Sequence, residues 1–318
     1  MPHETVFILD PIHPAGAERI AAAHDTITPE QGSCDPRIAD TSIIVIRTTE
    51  LPEALIARMP GLKLIVKHGA GVDNIPIPYA TGRGVMVCNT PGGSNSTAVA
   101  EGAVTLMLAV LRRVREMDAV VRESRWGTRW QTRLADLTGA NVGLIGFGRI
   151  ARTTAKICGA GFDAQIAACD PMLSDEQLRQ AGAIPMRLAD LLAWADVISI
   201  HVPLTEDTRN LIGAGQLALM KPGAVIVNTS RGGIIDEAAL AEALKTNRIG
   251  GAGIDVFEHE PPEADNPLFA LANVVLAPHV AGVTEASMRG MALACADVID
   301  TVLAGGRPAT LLNPEVLP

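Results

Sequence analysis

The regular alternation of short apolar runs with stretches of helical periodicity constrains this chain more than any other feature. Four apolar runs in the first part of the sequence fit buried strands, at residues 5–9, 42–46, 62–66 and 84–88. Six more follow in the second part, at residues 142–145, 165–169, 197–200, 225–228, 252–256 and 274–277. Buried strands that alternate with helices form parallel sheets covered on both faces. The sequence therefore predicts an α/β protein with two doubly wound parallel sheets.

Composition and charge exclude several classes of protein. The net charge of -9 argues against a nucleic-acid-binding surface, which needs a basic face. Five dispersed cysteines without a CxxC pair fit a reducing cytoplasm and argue against a disulfide framework or a zinc site. The N-terminal segment has no signal-peptide pattern, and the most apolar predicted helix is too short to span a bilayer. We therefore expect a cytoplasmic protein with no nucleic-acid, membrane or metal partner.

A glycine-rich turn follows the first apolar run of the second part, in the segment NVGLIGFGRIA (141–151). Gly146, Gly148 and Ala151 match the G-x-G-x-x-G/A pattern between a strand and a helix. The first glycine allows a tight turn, the second lets the backbone approach a pyrophosphate, and the third small residue lets the helix pack on the strand. Because the N–H groups at the start of the helix face the phosphates, the segment predicts a dinucleotide site.

The next predicted strand is followed by Asp170, 19 residues after Ala151. An acidic residue about 20 positions beyond the glycines hydrogen-bonds the ribose hydroxyls of NAD and disfavours the 2′-phosphate of NADP. The segment that follows, PMLSDE, contains no arginine, so NAD (NADH) is the predicted cofactor. The alternative is that Asp170 only caps the backbone of the glycine turn.

The length of 318 residues is enough for two domains that each bury a core. A long helix is predicted from about Ser96 to Arg122, and a final helix from about Glu285 to Ala304 should return to the first domain. The predicted domains are residues 1–98 with 286–318, a flavodoxin-like substrate-binding domain, and residues 99–285, a dinucleotide-binding Rossmann domain. A cleft between them is the expected place of the active site.

Chemically active side chains follow three other predicted strands. Arg231 follows the strand at 225–228, Glu260 follows the strand at 252–256, and His279 follows the strand at 274–277. Since ligands of doubly wound sheets bind beyond the carboxyl ends of the strands, these groups are expected to meet near a nicotinamide. Arg231 suits the binding of a substrate carboxylate and the polarisation of its carbonyl, and His279 suits proton transfer. Glu260 would orient His279 and favour its protonated form.

The sequence leaves an alternative open for each of these residues. Arg231 can be a surface arginine on a glycine-flanked turn, and His279 can be a hydrogen-bonded loop histidine. Spacing does not choose between Glu258 and Glu260. A metal site at Glu258, His259 and Glu260 is disfavoured, since adjacent residues of an extended segment point in opposite directions.

Several segments together make the chain resemble the D-isomer-specific 2-hydroxyacid dehydrogenase family, near its phosphoglycerate dehydrogenase branch. They occur in the family's order and cover most of the chain: IIVIRTTE, KHGAGVDNI, NTPGGSNSTAVAE, GLIGFGRIA, HVPLTEDTRNLI, NTSRGGIIDE, DVFEHEPP and APHVAG. The resemblance implies an NAD-dependent oxidoreductase that interconverts a small 2-keto acid and the D-2-hydroxy acid by hydride transfer. It also implies a homodimer built through the cofactor domain. Gly102 departs from the pattern where a His is frequent, and Ala281 departs from it where a Gly is frequent.

The resemblance also implies roles for individual residues. Arg231 matches the substrate arginine, Glu260 the acid of the DVFxxEP motif and His279 the proton donor. The implied cofactor-binding residues are Gly146, Gly148, Arg149 and Ile150 at the pyrophosphate, Asp170 at the ribose, Val202 and Pro203 at the adenine, Thr229 and Asp255 on the nicotinamide side, Gly282 beside His279, and in addition Thr208 and Ser230. The expected substrate-binding residues are Arg231, Arg47, His68, Ala70 and Gly71.

Charge near the predicted cleft bears on the choice of substrate. Arg47, Lys67 and His68 suit a second anionic group such as phosphate, and the alternative is a solvated Lys67 with His68 packed against its loop. The candidate substrates are 3-phosphoglycerate, hydroxypyruvate and glyoxylate. Formate oxidation is disfavoured, because related formate enzymes have an amide at the position of Glu260. An NAD-sensing, corepressor-like binding protein without significant turnover stays open as the alternative function.

Overall fold

A computed structural model describes residues 3–91 and 93–317, so Gly92 of the segment NTPGGSNSTAVAE lies outside the described residues. The strands are β1 Thr5–Ile8, β2 Asp25–Ile27, β3 Thr41–Ile46, β4 Leu64–Lys67, β5 Met86–Asn89, β6 Asn141–Ile145, β7 Gln165–Cys169, β8 Ile184–Pro185, β9 Val197–Ile200, β10 Val225–Asn228, β11 Gly251–Ile254 and β12 Val274–Leu276. The helices are α1 Pro14–Ala21, α2 Glu53–Ala57, α3 Ile77–Gly82, α4 Gly93–Leu111, α5 Val114–Arg122, α6 Arg149–Phe162, α7 Asp175–Gln180, α8 Leu188–Trp194, α9 Ala214–Leu219, α10 Glu237–Lys245 and α11 Glu285–Leu303.

The chain divides into two compact units. Unit 1 comprises Met1–Asn95 with Val283–Pro318, and unit 2 comprises Ser96–Gly282. The limits predicted from the sequence lie three residues from these. Helix α11 belongs to unit 1, where it packs against α1: a Cβ added to Gly16 would lie 2.5 Å from the backbone of Ala292.

Unit 1 is built on a parallel sheet with the strand order β2-β1-β3-β4-β5. Successive residues of β1 supply opposite faces, with Phe7 in one apolar cluster and Val6 in the other. The sequence predicts four of the five strands and misses β2, because the three residues of this strand include only one apolar side chain, Ile27. The strand order reverses between β1 and β3, so ligand-binding loops are expected at their carboxyl ends.

Unit 2 is built on a parallel sheet with the strand order β12-β11-β10-β9-β6-β7-β8. All six predicted strands are present. The seventh strand, β8 at the sheet edge, was not predicted because it has only two residues. Apolar clusters cover both faces, so the interior strands are buried on both sides. The order reverses between β6 and β9, and the predicted α/β fold class with two doubly wound parallel sheets is confirmed.

The prediction of a single long helix from about Ser96 to Arg122 is wrong. Two helices, α4 and α5, meet at Arg113, which has left-handed backbone angles (φ 48°, ψ 42°). A left-handed residue ends the helical hydrogen-bond ladder, and glycine is the residue that usually adopts this conformation. The segment LRRVR contains neither glycine nor proline, so the sequence offers no signal for the break.

Candidate active site

The glycine turn after β6 lies at the strand-order reversal of unit 2. Gly146 has a φ of 85°, and a Cβ there would lie 2.9 Å from Val202 Cγ1. A Cβ on Gly148 would meet no atom of the described residues within 4 Å, and Gly148 directly precedes α6. Ala151 is fully buried between helix and sheet. The turn therefore offers bare backbone at a helix N-terminus, the arrangement that binds phosphate groups.

Asp170 lies beyond β7 and is bonded to this turn. Its Oδ2 accepts a hydrogen bond from the Phe147 N–H at 2.8 Å, and its Oδ1 accepts one from the Met172 N–H at 2.9 Å. The capping role that the sequence left as an alternative is thus present. A carboxylate has about four acceptor positions, so these two bonds leave capacity for ribose hydroxyls.

Five other predicted cofactor residues lie in the same part of unit 2. Arg149 is exposed and Ile150 is half-buried, both in the first turn of α6. Val202 and Pro203 follow β9, and the Thr208 hydroxyl donates to the Pro203 carbonyl at 2.6 Å. The same hydroxyl accepts from the Thr205 N–H at 2.7 Å. Thr208 therefore stabilises its own loop through two hydrogen bonds, which the sequence did not predict.

The segment after β10 carries Arg231 and is held by Asn228. The Asn228 side chain donates to the Arg231 carbonyl at 2.8 Å and accepts from the Ser230 N–H at 3.0 Å and from its hydroxyl at 2.9 Å. The Thr229 hydroxyl is buried with no hydrogen-bond partner among the described residues. A Cβ on Gly232 would lie 1.8 Å from the Phe257 carbonyl oxygen. The Arg231 segment therefore touches the backbone that leads to Glu260.

Asp255, buried directly after β11, fixes the segment that carries His279. Its two carboxylate oxygens accept hydrogen bonds from the Val280 N–H at 2.8 Å and the Ala281 N–H at 2.9 Å. Its carbonyl accepts from the His279 N–H at 2.8 Å. Burial raises the pKa of Asp255, and the Ala281 and Val280 N–H groups oppose that shift. His279 has a φ of 56°, an uncommon conformation for a residue other than glycine, and these bonds stabilise it.

Glu260 and His279 are in contact. Glu260 Oε2 lies 2.7 Å from His279 Nδ1, and Glu260 Oε1 accepts a hydrogen bond from the Phe257 N–H at 3.1 Å. Burial alone would raise the pKa of Glu260, but the bonds from His279 and Phe257 and the charge of Arg231 outweigh burial and lower it. An arginine, a carboxylate and an imidazole from three segments of unit 2 are thus within electrostatic reach of one another.

The contacts also distinguish the two acids of the 258–260 segment. Glu258 Oε1 accepts a hydrogen bond from the Glu237 N–H at 3.2 Å, and the Glu258 N–H donates to Glu237 Oε1 at 2.5 Å. Glu258 therefore caps the start of α10. Glu260 is the acid that contacts the imidazole.

The predicted substrate residues of unit 1 follow β3 and β4. Arg47 is half-buried, and the Ala70 carbonyl accepts a hydrogen bond from the Asn89 side chain at 2.8 Å. Gly71 is half-buried in the same loop as Ala70. Burial lowers the pKa of His68, which is 2% exposed, to about 4. His68 is therefore neutral near pH 7 and does not add the positive charge expected from the sequence.

Lys67 is buried, which rules out the alternative of a solvated lysine. Its ammonium donates hydrogen bonds to the Arg47 carbonyl and to Asn74 Oδ1. A buried ammonium with protein acceptors is a structural group of its loop, and it holds neighbouring segments together.

A family model described as D-isomer specific 2-hydroxyacid dehydrogenase, NAD binding domain, matches residues 104–281. The chain belongs to the D-isomer specific 2-hydroxyacid dehydrogenase family. D-3-phosphoglycerate dehydrogenase of Archaeoglobus fulgidus is 42% identical over 83% of this chain and 50% of that protein, so the chain spans half of that relative's length. Glyoxylate reductase of Korarchaeum cryptofilum is 38% identical over 92% of this chain and 89% of that protein. The crystal structure of NADPH-dependent glyoxylate/hydroxypyruvate reductase from Sinorhizobium meliloti has a TM-score of 0.88 and 29% identity, and covers 99% of both chains.

Family membership confirms the predicted class, an NAD-dependent D-2-hydroxyacid dehydrogenase. NAD fits the residues that the structure describes. Gly148 leaves open space at the start of α6, and the buried Thr229 hydroxyl has no hydrogen-bond partner within residues 3–91 and 93–317. In those same ranges, no helix has the length and apolar character needed to cross a membrane. Nor does any cluster of three His, Cys, Asp or Glu there suit a metal ion.

The two departures from the pattern of this dehydrogenase family touch each other. A Cβ on Gly102 would lie 2.9 Å from the Cα, Cβ and carbonyl oxygen of Ala281. A side chain at position 102 therefore competes for space with the methyl group of Ala281. The two departures are therefore neighbours in the structure, and Ala281 belongs to the segment that Asp255 holds.

Two residues that build this candidate site, Asn228 and Gly232, were not predicted from the sequence. Asn228 holds the Arg231 segment, and its signal was a polar residue at the end of an apolar strand. Gly232 permits the contact between the segments after β10 and β11. The glycine pair of NTSRGGIIDE was visible, but only the packed structure shows which neighbour needs the space.

Proposed function

We propose that this chain interconverts a small 2-keto acid and its D-2-hydroxy acid with NAD, and that Arg231, Glu260 and His279 carry the chemistry. The observation that carries this proposal is the 2.7 Å contact between Glu260 and His279, with the charge of Arg231 acting on Glu260. An imidazole, its carboxylate and a nearby guanidinium are the groups that reduction of a keto acid requires.

His279 is the proposed general acid and base. Its Nδ1 is occupied by the Glu260 carboxylate, so Nε2 is the nitrogen available to protonate the substrate oxygen. Bound NADH supplies the hydride. In the reverse direction, Nε2 accepts the proton of the hydroxyl group. Glu260 holds the imidazole in one tautomer through its contact with Nδ1, and Asp255 holds the backbone on which His279 lies.

Substrate binding is assigned to Arg231 and to residues of unit 1. The Arg231 guanidinium can bind the substrate carboxylate with two parallel hydrogen bonds and polarise the carbonyl. Arg47 and the backbone of Ala70 and Gly71 are proposed to bind the same anion. His68 stays among the proposed substrate-binding residues as a neutral hydrogen-bonding group, since burial lowers its pKa to about 4.

Cofactor binding is assigned to unit 2, which also supplies Arg231 to the substrate. The proposed dinucleotide-binding residues are Gly146, Gly148, Arg149, Ile150, Asp170, Val202, Pro203, Thr208, Thr229, Ser230, Asp255 and Gly282. The open space at Gly148 and the family model over residues 104–281 support this assignment. Asp170 favours NAD over NADP, because its carboxylate repels a 2′-phosphate.

Glyoxylate, hydroxypyruvate and 3-phosphoglycerate are the proposed substrates to test first. Relatives named glyoxylate reductase and D-3-phosphoglycerate dehydrogenase support this choice. The neutral state of His68 and the buried Lys67 weaken the case for a phosphate-bearing substrate. The comparisons do not favour the alternative of a binding protein without turnover.

We also propose a cytoplasmic homodimer formed through unit 2. Five large apolar side chains are exposed between residues 114 and 134 of this unit: Val114, Val121, Trp126, Trp130 and Leu134. Large apolar side chains exposed within one short segment are typical of a protein interface. The five free cysteines support a reducing compartment. Sedimentation equilibrium measures the mass, and a monomer at micromolar concentration would exclude the dimer.

The decisive experiment is NADH oxidation with a panel of 2-keto acids, followed by absorbance. His279→Ala is expected to lower turnover by about 100-fold or more, while NADH binding is retained. His259→Ala is the matched control, because His259 is an exposed histidine adjacent to Glu260. Near-wild-type reduction by His279→Ala would refute the assignment of the proton donor.

A further inference from the structure

Asp10 lies at the strand-order reversal of unit 1, where doubly wound sheets bind their ligands. It follows β1 and is 5% exposed. Beside it, residues 47–49 follow β3, the neighbouring strand on the far side of the reversal. A buried carboxylate at this position must be satisfied by nearby donors.

Three successive backbone N–H groups point at this one carboxylate. Asp10 Oδ2 accepts from the Arg47 N–H at 2.6 Å and from the Thr48 N–H at 3.1 Å. The Thr49 N–H lies 3.2 Å from Oδ1 and 3.3 Å from Oδ2, and the Thr49 hydroxyl donates to Oδ1 at 2.5 Å. The Thr48 hydroxyl lies 3.5 Å from Oδ1. Successive N–H groups of this kind form an anion-binding concavity, and here the anion belongs to the chain itself.

The carbonyl side of residues 47–49 is held as well. The Lys67 ammonium donates to the Arg47 carbonyl and to Asn74 Oδ1, and the Asn74 amide donates to the Thr49 carbonyl at 2.6 Å. Asn74 belongs to the loop that contains Ala70 and Gly71. The segment with Arg47 and the loop with Ala70 are therefore connected through Lys67 and Asn74.

The charge of Asp10 fits this arrangement. Burial alone would raise the pKa of Asp10, but the bonds from the Thr49 hydroxyl and from the three N–H groups outweigh burial and lower it. Asp10 is therefore ionised at neutral pH, and each of its bonds is charge-assisted.

We propose that Asp10 is a positioning residue for substrate binding: its carboxylate fills the anion-binding concavity after β3 and thereby sets the backbone from which Arg47 reaches the substrate anion. The inference depends on the proposed function, in which Arg47 binds substrate. Asp10 itself touches neither substrate nor cofactor in this proposal. It acts through the conformation of residues 47–49.

Asp10→Asn tests this role, because the amide keeps the size of the side chain but loses its charge and part of its acceptor capacity. The KM for the keto acid is expected to rise about tenfold or more, while kcat stays within about threefold and the NADH dissociation constant is unchanged. Asp40→Asn, the same change at an exposed carboxylate of unit 1, is the matched control with unchanged KM. An Asp10→Asn enzyme with wild-type KM, or with a loss confined to kcat, overturns the proposal.

Hydrogen exchange supplies a measurement that does not need activity. The N–H groups of residues 47–49 should exchange about tenfold faster or more in Asp10→Asn, while β3 itself keeps its protection. Unchanged exchange at residues 47–49 overturns the proposal even where the KM has risen. If the wild-type protein reduces no keto acid, the proposed function fails, and the exchange result still decides whether Asp10 holds this backbone.

Thr49→Val provides a second variant in case Asp10→Asn does not fold. It removes one hydroxyl donor and keeps the Asp10 carboxylate and all three N–H groups. A smaller rise in KM, with faster exchange confined to residues 47–49, supports the proposal. A KM equal to that of the wild type together with unchanged exchange contradicts it.

Discussion

Replacing Gly232 by alanine tests how the Arg231 and Glu260 segments are brought together. The added Cβ would lie 1.8 Å from the Phe257 carbonyl oxygen and 2.1 Å from the Phe257 carbonyl carbon. Real Cβ contacts begin near 3.0 Å, so the two backbones must separate by about 1.2 Å, the difference between 3.0 and 1.8 Å. Both partners are backbone, so no side chain can rotate away to make room.

That displacement falls between two parts of the proposed catalytic group. Arg231 directly precedes Gly232, and Glu260 is three residues beyond Phe257. A misplacement of about 1 Å can lower a rate about 100-fold, so Gly232→Ala should reduce kcat/KM by roughly that factor. Overpacking should also lower the free energy of unfolding by about 1–3 kcal/mol.

The assay is NADH-dependent keto-acid reduction, together with urea denaturation of the same preparations. Gly161→Ala is the control, because it adds the same methyl group to an exposed position of α6, and its Cβ would have no atom of residues 3–91 or 93–317 within 4 Å. The control should keep its activity and gain about 0.5–1 kcal/mol of stability. If Gly232→Ala matches the wild type in both kcat/KM and denaturation midpoint, the close packing of these two segments is refuted.

Three further substitutions probe other contacts. Glu260→Gln removes a carboxylate whose pKa lies below its ordinary value of 4.5. The stabilisation from this carboxylate is present above pH 4.5 and is lost as the pH falls through the lowered pKa, so the free energy of unfolding of the variant should depend less on pH below about 4.5 than that of the wild type. Equal pH dependence of the two proteins would contradict this. Gly102→Ala should cost about 1–3 kcal/mol in denaturation experiments, and Ala281→Gly should restore part of it; additive effects would show that the two residues do not compete for space. Asp170→Ala should narrow the preference for NADH over NADPH in kcat/KM, whereas an unchanged ratio would leave Asp170 only its bonds to Phe147 and Met172.

The fold was predictable because its signals are local. Ten strands of three to six residues had apolar runs that could be recognised, and the observed ends differ from the predicted ones by at most two residues. The strands β2 and β8 were missed because each contains a single isoleucine, Ile27 in β2 and Ile184 in β8, and so forms no recognisable apolar run. The break at Arg113 was missed because its left-handed backbone is adopted without glycine.

The candidate site was predictable in its residue types and less so in its contacts. Arg231, Glu260 and His279 could be named because each follows a strand of a parallel sheet. Glu258 and Glu260 could not be separated, since both have the right chemistry and only their partners differ: Glu258 bonds to Glu237, and Glu260 contacts His279. The charge of His68 was overestimated because sequence position says little about burial.

The sequence by itself determined the alternation of strands and helices, the glycine turn at 146–151 and the identity of the groups at the strand ends, because these depend on residues adjacent in the chain. Only the tertiary structure decided which of those groups meet. The bonds from Asp255 to Val280 and Ala281, and from Asp10 to residues 47–49, join segments more than twenty residues apart. Such contacts depend on strand order and on backbone approach at Gly232, and neither is encoded in a local pattern.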